Sequence, residues 1–270
     1  LVEGSFSVPD SDQQPTPAAI NMRLTGPLDA VADLFDREAM KPYIELPIDA
    51  TTVKGQIDGR MALDIKLGDN VRPEDTRVRA SASLTNFSVE KLVGQEKLEA
   101  AALKVTAERG ILNASGQGRL FGAPATIELR KKPNAPTEAV IGMTLDDAAR
   151  TKLGLNFGQS LTGPIGARMT AVLGQKEKPR ALVEIDFTRS AIDNLLPGYV
   201  KTAGRPAKAS FTLVNDPEGP DLENFVFEGG TAYAKGIVEL DPAGGLERVR
   251  LSPVRLPARP RRSCVACPRR

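Results

Sequence analysis

The chain has 270 residues, of which 41% are hydrophobic and 26% charged, a composition that excludes global disorder. It holds no His and no Trp, so a Ser-His-Asp or Cys-His nucleophile system is impossible, although Ser-Lys and carboxylate chemistry remain allowed. Net charge is +2, yet the last twenty residues carry six Arg and no acid, so the body is mildly acidic and mixed in sign, which is no footprint for nucleic acid.

No apolar run of about 18 residues occurs, so no transmembrane helix is expected. The chain opens at Leu1 inside strand-like sequence without a start Met or signal peptide. It reads as a fragment of a longer protein whose anchor or export signal lies upstream.

The first expected helix follows Thr25-Gly26, with Pro27 at its first position and Leu28, Val31, Ala32 and Phe35 at i, i+3, i+4, i+7 spacing. Period-two alternation then takes over. From Val53 to Leu67, the residues Val53, Gly55, Ile57, Gly59, Met61, Leu63, Ile65 and Leu67 share one parity, and Lys54, Gln56, Asp58, Arg60, Asp64 and Lys66 the other. This is either one very long strand or a hairpin turning near Asp58-Gly59. Alternation returns at Val78–Leu84, Leu103–Ala107, Leu112–Leu120 and Ala125–Leu129, and later at Ala181–Phe187, Ala207–Leu213 and Gly236–Leu240. Pro133-Asn134-Ala135-Pro136, Asn215-Asp216-Pro217 and Asp241-Pro242-Ala243-Gly244-Gly245 punctuate these runs. A second helix is expected from Asp146-Asp147 to about Leu153, and a third after Ser190, carrying Ile192, Leu195 and Leu196 and stopping at Pro197-Gly198. Gly163-Pro164 and Gly204-Arg205-Pro206 each link a helix to a strand, a weak internal echo that is equally an ordinary feature of antiparallel proteins.

After Leu251 the alternation ends. Residues 252–270 form a basic tail holding both cysteines, read either as non-native sequence or as a genuine tail, and set aside from fold reasoning. Cys264 and Cys267 lack the further ligands a zinc site needs. Asp146-Asp147 and the pair Glu184/Asp186 are carboxylates of the kind glycoside chemistry uses, but they read as a helix cap and an outer strand face. Gly116-Gln117-Gly118 and Gly229-Gly230 lack the phosphate-loop patterns and read as strand bends or bulges. No metal, cofactor or catalytic residue is expected.

The informative feature is the apolar face. Roughly ten strands each carry one, and three short helices are too few to cover them, so the sheet must close on itself or curl into an open trough. Both outcomes remain open on composition. The residues expected to line one continuous apolar concavity are Val53, Ile57, Met61, Leu63, Ile65, Leu103, Val105, Ile127, Leu129, Val183, Ile185, Phe187, Phe211 and Leu213.

Ala82-Ser83-Leu84-Thr85-Asn86-Phe87-Ser88-Val89, then Leu98–Val105, then Leu112–Ile127, together with Asp186-Phe187-Thr188-Arg189-Ser190-Ala191-Ile192-Asp193-Asn194-Leu195-Leu196-Pro197-Gly198, resemble the AsmA-like superfamily. The nearest members would be the YhdP-type proteins of Gram-negative bacteria, alphaproteobacterial ones in particular. The resemblance covers residues 1 to 251 and rests on patterned strands. It implies a mainly β fold with a long antiparallel sheet curled into an open groove, in one stretch or in two repeats with a break near 131–145. It also implies a periplasmic chain held at the inner membrane through a segment absent here, with phospholipid acyl chains and the rest of its own full-length chain as partners. The fourteen apolar residues would line the groove. The rivals are a structural or assembly β protein of the envelope with a closed core, and a carbohydrate-active β protein, against which the low aromatic content speaks.

Overall fold

The computed structural model describes residues 2–35, 52–68, 72, 75–93, 96–153, 155, 157–173, 180–195, 198–216, 219–240 and 246–256. The fold is mainly β, with two α-helices among the described residues. The chain divides into two compact units. The first comprises Leu1–Leu145 and Ala167–Leu182, the second Asp146–Gly166 and Val183–Arg270.

In the first unit, eight strands follow one another as antiparallel neighbours: β1 (Val2–Ser7), β2 (Thr16–Pro27), β3 (Val53–Leu67), β4 (Arg77–Val93), β5 (Glu96–Glu108), β6 (Ile111–Leu120), β7 (Ala123–Lys131) and β8 (Thr137–Leu145). β10 (Ile165–Leu173, of which Ala167 onward belongs here) lies beside β8. Helix α1 (Leu28–Phe35) joins β2 to the segment before β3. Two of the connections are two-residue hairpin loops. Arg109-Gly110 and Phe121-Gly122 both have positive φ at each position, 52° and 73° in one and 55° and 74° in the other. That is what a type I′ turn needs to match the right-handed twist of its strands.

β3 is a single strand of 15 residues and does not turn at Asp58-Gly59. β2 pairs with it from Thr16↔Leu67 to Pro27↔Gln56 and β4 from Val53↔Val89 to Asp64↔Arg77, so Asp58-Gly59 is held on both sides and a turn there would forfeit two ladders. Gly59 serves a close approach instead, because a Cβ there would sit 3.0 Å from the Cβ of Ala82. Pro27 closes β2, and the helix begins one residue later at Leu28.

In the second unit, β11 (Arg180–Asp186, of which Val183 onward belongs here), β14 (Lys208–Asp216), β15 (Gly219–Gly229), β16 (Ala232–Leu240) and β17 (Leu246–Arg255) are neighbours in that order. A small sheet places β12 (Ala191–Asp193) between β9 (Leu161–Thr162) and β13 (Val200–Lys201). Helix α2 (Asp147–Lys152) is capped by Asp146, whose carboxylate accepts from the Ala149 N–H at 2.8 Å.

The third expected helix is a strand. Ile192 pairs with Leu161 and Lys201, and Asn194 closes a tight loop by accepting from the Gly198 N–H at 2.8 Å. Burial of Ile192 between two strands outweighs the weak helical spacing of its neighbours. Leu196 and Pro197 lie outside the described residues. The boundary at Leu251 is also corrected, since β17 continues to Arg255 and pairs Val254 with Ala234 and Arg255 with Tyr233. Cys264 and Cys267 lie outside the described residues.

Candidate functional site

Directly opposed residues of an antiparallel ladder point to the same face, so register alone assembles rows of side chains across a sheet. In the first unit one row runs Ile57, Leu84, Leu103, Gly116, Ile127, Ile141. The next runs Leu24, Gly59, Ala82, Val105, Ala114, Leu129, Ala139. A third runs Met22, Met61, Ala80, Ala107, Leu112, and beyond it Ile20, Leu63 and Val78 are opposed. Ile65 faces Ala18. Val53 joins Ile57 in the cluster of buried residues that also holds Leu84, Leu103 and Ile127. Nine of the fourteen expected lining residues therefore occupy one face of one unit. None of the nine is exposed, and Met61 retains only 4% of its accessible surface.

The other five lie in the second unit. Leu213 is opposed to Leu222, which is opposed to Val238. The Phe211 and Phe225 rings stack with centroids 6.4 Å apart. Phe187 packs at 6.1 Å against Phe227, and Tyr199 meets Phe227 edge-on at 5.4 Å. Gly229 makes room for this cluster, because a Cβ there would collide with the Tyr199 hydroxyl. Val183 and Ile185 are half-buried on β11.

No family model, no curated protein and no solved structure matches this chain.

Period-two reading missed several of the most buried side chains of the first face: Phe87, Val89, Leu98 and Ala101. Phe87, Val89 and Leu98 lie beyond β-bulges, where one extra residue reverses which parity points inward, whereas Ala101 keeps the parity of Leu103 and sits within the β5 slip itself. The register of β4 slips between Leu84 and Phe87, where Asn86 has φ 49°, and that of β5 slips between Glu99 and Ala102. The signal was present as two consecutive polar residues, Thr85-Asn86, inside an apolar alternation. Gly116 and Gly118 face the bulged segment of β5, where a Cβ at Gly116 would collide with the Ala102 carbonyl. α1 covers this end of the face: Leu28 and Ala32 are buried in the cluster with Val53, Phe87 and Leu98, and Val31 packs against it. The side chain of Phe35 lies outside the described residues.

The opposite face of the first unit is charged. Arg79 pairs with Asp64 at 3.0 Å, Arg23 with Asp58 at 3.4 Å and Lys66 with Asp75 at 3.4 Å, all partly exposed. Asp75 is held below the usual carboxylate range by the Arg72 N–H and by Lys66. This unit also carries a concavity of about 770 Å³. Its lining is three adjacent cross-strand rows: Gly4, Met22, Met61, Ala80 and Ala107 in the middle, with a row of the opposite parity on each side.

The candidate carboxylates hold structural positions. Asp147 receives Arg150 at 2.6 Å and the Gly163 N–H at 3.1 Å, while the buried Arg150 also donates to the Leu161 and Gly163 carbonyls. Asp186 accepts from the Thr188 hydroxyl and N–H, which hold its carboxyl below the usual range. Among the described residues no group of three or more His, Cys, Asp or Glu is placed to hold a metal, and no helix is long and apolar enough to cross a membrane.

Proposed function

We propose that the chain is a segment of an envelope-spanning bridge that shields phospholipid acyl chains between two membranes, with no bond-making chemistry of its own. The observation that carries this reading is the row structure of the first unit. Three ladders of Ile, Leu, Val, Ala, Gly and Met side chains run side by side across five or more strands, and one eight-residue helix covers one end of that face. An acyl chain in water costs about 0.8 kcal/mol per exposed CH₂. A groove of such rows, open along its length, would lower that cost at every step without a tight site. The resemblance to AsmA-like proteins supports the same reading, and with it a periplasmic place and an inner-membrane anchor upstream.

A photo-crosslinking residue at Ile65 or Val105, compared in cells with one at Lys66 or Lys104, tests it. Phospholipid adducts at the first pair and none at the second are expected, as is co-purified phospholipid in native mass spectrometry. Equal labelling at all four positions, or none anywhere, sinks the proposal.

The near-complete burial of Met61, Leu103 and Ile127 favours a second reading, a spacer or assembly protein of the envelope with a closed core. It predicts that Val105→Asp unfolds the protein, whereas in an open groove the variant folds and blocks transit.

A further inference from the structure

We propose that the charged face of the first unit holds a phosphate ester in a trough centred on Arg23 and Arg60. The lining of the 770 Å³ concavity fixes the face. One flanking row is Glu3, Arg23, Arg60, Ser81, Thr106, and the other is Ser5, Asn21, Ala62, Arg79, Glu108. Both rows point away from the apolar side. The apolar-side neighbours of the middle row, among them Leu24, Leu63 and Val105, are not part of the lining. The two polar rows are thus the walls, and the backbone of the middle row is the floor.

Arg23 and Arg60 are direct cross-strand partners, an arrangement of like charges that is unfavourable unless an anion lies between them. Among the described residues the Arg23 guanidinium is engaged only by Asp58, at 3.4 Å, and the Arg60 guanidinium has no hydrogen bond or ion pair. Two guanidinium forks from adjacent strands, with the Ser81 hydroxyl next in the row, match the several acceptor oxygens of a phosphate group. The trough is far larger than a bare phosphate, and Ser5, Asn21 and Thr106 offer hydrogen bonds to a polar body. Glu3 and Glu108 close the two ends and disfavour a polyanion such as nucleic acid. The site is separate from the apolar face, so either proposal can fail alone.

The test titrates the protein with glycerol 3-phosphate, with glycerol as control, following the arginine side-chain N–H signals by NMR. A second arm measures co-sedimentation with phosphatidylglycerol vesicles. A saturable shift at Arg23 and Arg60, weakened about tenfold in Arg60→Gln and unchanged in Arg77→Gln, is expected. Arg77 lies on the same face outside the trough. Loss of vesicle binding in Arg60→Gln would assign a lipid headgroup, and Arg60-dependent binding of the soluble ester alone would assign a free phosphate ester. No saturable shift, or equal weakening by Arg77→Gln, overturns the site.

Discussion

The Lys201 ammonium donates a 2.6 Å hydrogen bond to the main-chain carbonyl of Ser190, joining the start of β12 to β13 across the loop that sequence alone reads as a helix. Lys201 and Ser190 are both buried, and Lys201 also reaches the Thr202 carbonyl at 3.3 Å. Burial lowers the Lys201 pKa, with Asp186 opposing that shift. Replacing Lys201 by Met leaves a buried carbonyl without its donor and should cost about 1–3 kcal/mol at neutral pH by urea unfolding. The pH dependence has a definite sign. A folded-state pKa below the ordinary 10.5 means that the wild type gains stability as pH rises from the lowered value towards 10.5, and Lys201→Met does not. A difference between the two that stays flat up to pH 10.5 would show that the amine carries no burial penalty.

Asp186 behaves oppositely. Its folded pKa lies below 3.8, chiefly because the Thr188 hydroxyl donates to the carboxylate at 2.5 Å. The stability it contributes is present above that ordinary value and is lost as pH falls through the lowered one. Thr188→Val should therefore move the acid limb of the unfolding curve to higher pH and leave the midpoint slope unchanged. An acid limb that coincides with wild type would remove Asp186 from acid stability.

The parity switch in β4 depends on Asn86 at φ 49°, a conformation that Asn and Gly tolerate and β-branched residues do not. Asn86→Gly should change stability by less than about 1 kcal/mol, and Asn86→Val should cost about 1–3 kcal/mol. Thermal unfolding of the two variants decides this. Equal effects would mean that the bulge is held by Phe87 burial and not by the backbone of Asn86.

A chain ending at Leu251 loses the pairs of Val254 with Ala234 and Arg255 with Tyr233, and one ending at Leu256 keeps them. The shorter chain should be the less stable of the two by a measurable shift in melting temperature, and the longer should match the full chain within about 1 kcal/mol. Identical melting of all three would show that the end of β17 adds nothing.

The sequence by itself determined that this is a β protein and which side of most strands is apolar, because a strand alternates its side chains with a period of two and an apolar face must be buried. It also determined the Asp146 cap and the helical stripe of Leu28, Val31 and Ala32, which are local patterns. Tertiary structure alone decided whether Asp58-Gly59 turns, since the ladders of β2 and β4 hold β3 straight. It decided that Ala191–Asp193 is a strand, since Ile192 gains more from burial between β9 and β13 than from a lone helical turn. It decided, through the bulges at Asn86 and Ala101, which parity faces inward past each slip. It also set Arg60 opposite Arg23, because that pairing is a matter of register between strands 37 residues apart in sequence, which no local pattern encodes.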